Sequence, residues 1–195
     1  MIRTPKRKVL ELGVGLGLLL SVVLTVAAAQ RGKVAAQVRA DTIRLHVLAN
    51  SDTIEDQLLK LEVRDAILDA LPTAVTAAAT PRQAAQALRT ALPRLQRAAN
   101  LALHQAHSAQ RAAVRLETAD FAARAYGSFA LPGGAYTALR VELGDAQGHN
   151  WFCVLYPALC VAGATAEYPT PQENALVFGR YEVRFALWDA LQGLA

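Results

Sequence analysis

The chain has 195 residues, 53% of them apolar, enough for one compact domain plus an appendage and too apolar for a disordered polymer. Its formal net charge is +4, but four of its 20 basic residues and one of its 16 acidic residues precede residue 31. The remainder is nearly neutral, with scattered cations and no interleaved aromatics, so nucleic-acid binding has no electrostatic warrant.

Arg3, Lys6, Arg7 and Lys8 precede an apolar run from Leu12 to Ala29, which closes on Ala27-Ala28-Ala29-Gln30. A basic start, an apolar stretch and small residues at its end are the parts of a signal peptide. About 18 apolar residues also suffice to span a bilayer, so residues 1–30 read as a cleaved signal or a retained anchor. The positive-inside rule keeps the basic end in the cytoplasm and exports the chain beyond Gln30. Residues 31–41, small and polar, read as a linker to a single domain over 42–195.

Ile43-Arg44-Leu45-His46-Val47-Leu48 alternates apolar and polar residues, the period of a half-buried strand, and places His46 on its solvent side. Asn50-Ser51-Asp52 ends that strand. Asp52 then reads as the cap of a helix, with Glu55 completing a capping-box pattern. Ile54, Leu58, Leu61 and Leu68, widened by Val63 and Ile67, form its apolar face, and Asp56 and Lys60 have the spacing of an ion pair. Thr80-Pro81-Arg82-Gln83 starts a second helix after a connection over 72–80. Leu88, Leu92, Leu95, Ala99, Ala102 and Ala106 form its packing seam, and Pro93 should kink or split it. His104 and His107 lie one turn apart, without an acidic or cysteine partner at zinc-motif spacing.

From Arg111 the pattern changes to strands and turns. Val114–Glu117 alternates, Tyr126-Gly127-Ser128-Phe129 and Pro132-Gly133-Gly134 are turn chemistry, and Leu139–Leu143 alternates again. The loop Gly144–Gly148 leads to an apolar run, Trp151–Tyr156, and the two strands read as a β-hairpin. Tyr181–Trp188 reads as an extended entry into a closing helix that runs through Leu191. The expected fold is α+β: a signal or anchor helix, then a small, mainly antiparallel sheet including a hairpin, packed on two or three helices. No residue set asks for a cofactor or a small-molecule substrate.

Both cysteines fall in Gly148-His149-Asn150-Trp151-Phe152-Cys153 and the following seven residues to Cys160. His149 and Cys153 on one strand would stand roughly 13 Å apart, too far for proton transfer. In an exported domain the pair Cys153 and Cys160 is a disulfide candidate, with Pro157 between them to turn the chain. Two buried free thiols, or an envelope thiol hydrolase using Cys153, are the other readings. Retention of residues 12–29 would instead suit a membrane-anchored structural protein. No serine-histidine-aspartate or paired-carboxylate set stands out.

Three segments together carry a resemblance. They are Ile43–Asp52 continuing through Asp56-Gln57-Leu58-Leu59-Lys60 to Val63-Arg64-Asp65, Tyr126-Gly127 with Leu131-Pro132-Gly133-Gly134-Ala135-Tyr136 through Arg140, and Gly148–Cys160. Tyr181–Phe185 adds a weaker fourth. Together they resemble the stage II sporulation protein R family. The resemblance implies a signal, not an enzyme, exported across the forespore membrane into the intermembrane space, where it is secreted or stays anchored. Its implied partner is a membrane-embedded aspartic protease that processes the pro-form of the mother-cell sigma factor, sigma-E. Polar turns are where contacts with such a partner would lie. The candidates are Asn50, Ser51 and Asp52 in one turn, and His149 and Asn150 at the end of the loop 144–150. Trp151 is either a partner anchor or core.

Overall fold

A computed structural model describes residues 5–126, 129–158 and 168–179. In chain order these form α1 (Pro5–Ala40), β1 (Ile43–Leu48), α2 (Ile54–Asp69), α3 (Thr73–Thr76), α4 (Pro81–Gln105), β2 (Ala112–Phe121), β3 (Arg124–Tyr126), β4 (Phe129–Leu131), β5 (Gly134–Leu143), β6 (Asn150–Tyr156) and α5 (Pro171–Phe178).

α1 is a single helix of 36 residues. The segment from Lys8 to Ala40 is long and apolar enough to cross a membrane, with a mean hydropathy of 2.3 over its most apolar stretch. That stretch buries nothing against the rest of the protein. The linker expected over 31–41 is not irregular: the helix runs on to Ala40. Its last turn docks, because Val38 is fully buried beside Leu131, Val154, Tyr168 and Val177. An alanine-rich tail with one well-placed valine therefore continues the helix instead of breaking it.

The domain is α+β, as expected. Its four-stranded sheet has the order β2-β5-β1-β6, with β1 parallel to β5 and antiparallel to β6, and β2 antiparallel to β5. The hairpin expected between Leu139–Leu143 and Trp151–Tyr156 does not form, because β1 lies between the two strands. The short antiparallel pair β3–β4 forms a separate two-stranded element. A neighbour from the far end of the sequence is invisible to local pattern, and the loop between β5 and β6 is spent on reaching over the end of β1.

One face of the sheet packs Ile43, Leu45, Val47, Leu139 and Val141 against α2, α3 and α4. α4 offers Ala84, Leu88, Leu95, Ala99 and Leu103; Leu92 is half-buried and Ala106 exposed. It runs unbroken through Pro93, whose ring lies on the exposed side. In α2 the buried face is Leu59 with the expected Val63 and Ile67, whereas the expected Ile54 and Leu58 are exposed and Leu61 and Leu68 only half-buried. Ile54 is 82% and Leu58 57% exposed. Two apolar stripes compete on this helix, and the sheet takes the one carrying the β-branched residues.

The second face of the sheet is covered as well, by β3–β4, the end of α1, and α5. His46, expected in solvent, is therefore buried, with its ring stacked on Phe152 at 4.5 Å and edge-on to Phe121 at 5.5 Å. Burial, with the charges of Arg140 and Arg44, lowers its pKa to about 4. Arg44 is buried too, with its guanidinium 4.0 Å from the Phe121 ring centre and donating to the Tyr126 hydroxyl at 2.6 Å. The polar half of the β1 alternation is a cation–aromatic layer, not a wet surface. The expected closing helix over 181–191 lies outside the described residues.

Candidate functional site

The two polar turns singled out in the sequence meet. β1 ends at Leu48, and the chain turns through Asn50–Thr53 into α2. β5 arrives parallel to β1, and its loop folds back over that same turn before β6 begins. The backbone seals the junction: Gly148 N donates to Ala49 O at 2.9 Å and Gln147 N to Asn50 O at 3.0 Å.

Asn50 is the hinge of this contact. Its Oδ1 accepts from Asp145 N at 2.9 Å, and its Nδ2 donates to Asp56 Oδ2, also at 2.9 Å. Two glycines permit the approach. A Cβ on Gly144, whose φ is +53°, would stand 2.2 Å from Asn50 Oδ1, and one on Gly148 would stand 2.1 Å from Ser51 O.

Asp56 gathers the turn from the helix side. It accepts from the Ser51 hydroxyl, from Asn50, and from Gln110 Nε2 at 2.6 Å. The Ser51 and Asn50 hydrogen bonds hold its pKa below the usual carboxylate range. The expected Asp56–Lys60 pair is replaced by this network. Lys60 instead donates to Gln57 Oε1 at 2.6 Å and to the His149 carbonyl at 3.1 Å, and burial lowers its pKa.

Asp52 does not cap α2. Thr53 does, with its hydroxyl accepting from Asp56 N. Asp52 is thereby free to accept from both the backbone N–H and the ring Nδ1 of His149. The ring contact comes first in keeping the Asp52 carboxyl low. Both side chains face water, at 79% exposure for His149 and 56% for Asp52. Beside them a cleft of about 310 Å³ is lined by Asp52, Arg124, His149, Asn150 and Phe152, among others. Arg124 lies over the Phe152 ring, 4.4 Å from its centre.

Asn50, Ser51, Asp52, His149 and Asn150 thus share one end of the sheet. Asn150 pairs with Leu48 and Trp151 with Val47 in the β1–β6 register. Trp151 is half-buried against the main core, with the Arg64 guanidinium over its ring. Arg124 and Phe152 of the cleft were not anticipated; nothing local marks an exposed arginine or a strand phenylalanine as belonging here. Lys60 carried a signal, since it lies seven residues after Thr53 and so on the face of α2 that looks back at the turn.

This network ties the two turns together through side-chain and backbone hydrogen bonds. His149 is tied to Asp52, and Cys153 packs against the main core from the other half of β6. Cys160 lies outside the described residues. His104 and His107 are exposed, and among the described residues no three histidine, cysteine, aspartate or glutamate side chains gather as metal ligands.

The stage II sporulation protein R family model matches residues 39–166, which takes in β1, the turn, the loop and all of β6. The chain belongs to that family. It is 36% identical over 118 residues to stage II sporulation protein R of Bacillus subtilis (strain 168), covering 60% of this chain and 53% of that protein. The chain therefore spans about half the length of this curated relative. No solved structure matches it. Family membership supports a role in sporulation, and the match begins at Arg39, where α1 docks on the domain. The helix before that point has the length and hydropathy of a signal or anchor.

Proposed function

We propose that the domain is a sporulation signal that acts by contact. Exported across the forespore membrane, it binds the extracytoplasmic face of a membrane-embedded aspartic protease and favours that enzyme's active arrangement. The protease then removes the pro-sequence of the mother-cell sigma factor, sigma-E. The family match over 39–166 carries the reading. The apolar α1 is consistent with export, and the water-facing Asp52–His149 end of the sheet supplies a preorganised contact surface. Binding shifts the protease only by its differential affinity for the active state, so a rigid surface suits the task better than a mobile one. In the same reading Cys153 and Cys160 are paired as a disulfide outside the cytoplasm.

Deletion in sporulating cells, followed by immunoblotting of the sigma-factor precursor, tests the proposal. Precursor should persist in the deletion strain and mature on complementation; timely maturation without the protein refutes it. Alkylation of the unreduced mature protein tests the disulfide, which fails if Cys153 and Cys160 both react.

A further inference from the structure

Beyond α1, the large apolar side chains most open to solvent among the described residues are Ile54, Leu58 and Leu101. Ile54 and Leu58 are one turn apart on α2, and the same face continues through Glu62, Asp65 and Asp69 at helical spacing. Leu101 precedes Gln105 by one turn on the neighbouring α4. Two adjoining clefts run along this line. One, of about 200 Å³, lies between Leu58, Glu62 and Ala106; the other, of about 500 Å³, lies between Glu62, Asp65, Asp69, Ala102 and Gln105. They share Glu62 and Ala106, so they form one groove, with Leu58 and Leu59 beside Glu55 at its start, Ile54 one turn before Leu58 on α2, and carboxylates along its length.

Among the described residues only one of those acids meets a cation. Glu62 and Asp69 enter no ion pair among the described residues, and Asp65 pairs only with Arg64 beside it on α2. α4 lines the groove with alanine and glutamine and keeps its arginines elsewhere. We propose that the α2–α4 groove docks a basic amphipathic helix of a protein partner. The partner's apolar residues cover Ile54 and Leu58, and its lysines or arginines meet Glu62 and Asp69. The groove has the layout of a helix-binding site, apolar anchors beside a charged rim that sets orientation and on-rate. An anionic bilayer is disfavoured by the same carboxylates. A second copy docking face to face would set acid against acid. This groove begins on α2 just past the Asp52 turn but shares no lining residue with the Asp52–His149 cleft, and it stands or falls independently of the signalling proposal.

The test uses the full chain in zwitterionic nanodiscs and a fluorescent synthetic peptide, leucine on one helical face and lysine on the other. Its control is the same peptide with glutamate for lysine, and binding to empty nanodiscs is subtracted. The lysine peptide should bind and weaken with salt, while the glutamate peptide should not bind. Glu62→Lys with Asp69→Lys should weaken binding about tenfold or more, and so should Ile54→Ser with Leu58→Ser. Asp120→Lys, an exposed acid on β2, should leave it unchanged. Should either double variant melt early, Glu62→Gln with Asp69→Gln replaces it, with the same loss expected. Equal binding of the two peptides overturns the proposal, as does a Glu62/Asp69 reversal no different from Asp120→Lys. Concentration-dependent dimerisation that blocks the peptide also overturns it, in favour of a second copy.

Discussion

Replacing Asp41 by asparagine should change stability in a pH-dependent way, because Asp41 sits where α1 gives way to β1, beside a second carboxyl. Glu173 is fully buried in the first turn of α5, where its Oε2 closes a capping box with Thr170 and its Oε1 has no hydrogen-bond partner among the described residues. Burial, then the hydrogen bond to Glu173 and its charge, raises the Asp41 pKa from 3.8 to about 6. The folded state therefore binds a proton that the unfolded chain releases. That contribution is fully present below the unfolded pKa and is lost as pH rises through 6. A shift of two units corresponds to about 3 kcal/mol. Asp41 is partly open to water, so screening reduces this to about 1 kcal/mol. Urea unfolding of the full chain, followed by tryptophan fluorescence at pH 4.5 and 7.5, reads the effect as a difference between variant and wild type. Contributions common to both proteins, such as that of His46, cancel in the difference. Asp41→Asn should be nearly neutral at the lower pH and stabilising by about 1 kcal/mol at the higher one. Equal differences at the two values, or a variant that is worse at pH 7.5, would refute an Asp41 carboxyl that holds its proton beside Glu173 in the folded state.

Leu59→Ala should cost about 2–5 kcal/mol in the same assay, and its neighbour Leu58→Ala no more than about 0.5 kcal/mol, since only the first is buried. Comparable losses would mean that α2 is rotated from the position described. Gly148→Ala places a methyl against Ser51 O and should cost on the order of 2 kcal/mol while slowing precursor maturation in cells; unaltered stability would show that the loop does not seat on the turn. His46, neutral and stacked when folded, contributes stability present above pH 6.5 that is lost as pH falls through 4. His46→Phe should remove about 3 kcal/mol of that acid sensitivity, and an unchanged pH profile would refute the burial argument.

How much of the fold is legible in the sequence depends on the range of the physics involved. Thr80-Pro81 and the alanine–leucine seam of α4 are local, and that helix forms where its cap and spacing put it. Thr170-Pro171-Gln172-Glu173 spells the same start signal for α5, yet the surrounding segment shows no apolar period to mark a helix there. In α2 the helix is legible but its inward face is not: Ile54–Leu58 and Leu59–Val63 are both apolar at helical spacing, and only the sheet decides between them. The capping error has the same origin. Asp52 and Thr53 are adjacent and both able to cap, and the choice is made by His149, almost a hundred residues away. Pairing of β1 between β5 and β6 is wholly non-local, so its two polar residues could not be recognised as buried. The site is legible as two separate turns because each is rich in turn chemistry. Their union is not, because it depends on that same insertion.

The insertion of β1 also sets the geometry of the contact proposed above. α1 ends at Ala40 and β1 begins at Ile43, so the membrane-competent helix and the strand are nearly continuous. At about 3.3 Å per residue, six strand residues carry the chain roughly 20 Å from that neck to the Asn50–Asp52 turn. The loop from β5 and the first residues of β6 are at this far end as well, because β5 runs parallel to β1 and β6 antiparallel. A partner embedded in a membrane must reach this end with a segment that stands clear of the lipid, or meet a domain lying on its side. Cleavage after Ala29 would free the domain to do either, and it would leave Val38 and Arg39 docked as they are, nine or more residues beyond the cut. The neck belongs to the domain rather than to the membrane helix. On the proposed function, export with or without an anchor would therefore deliver the same folded surface, and what cleavage would change is how far that surface can travel to its partner.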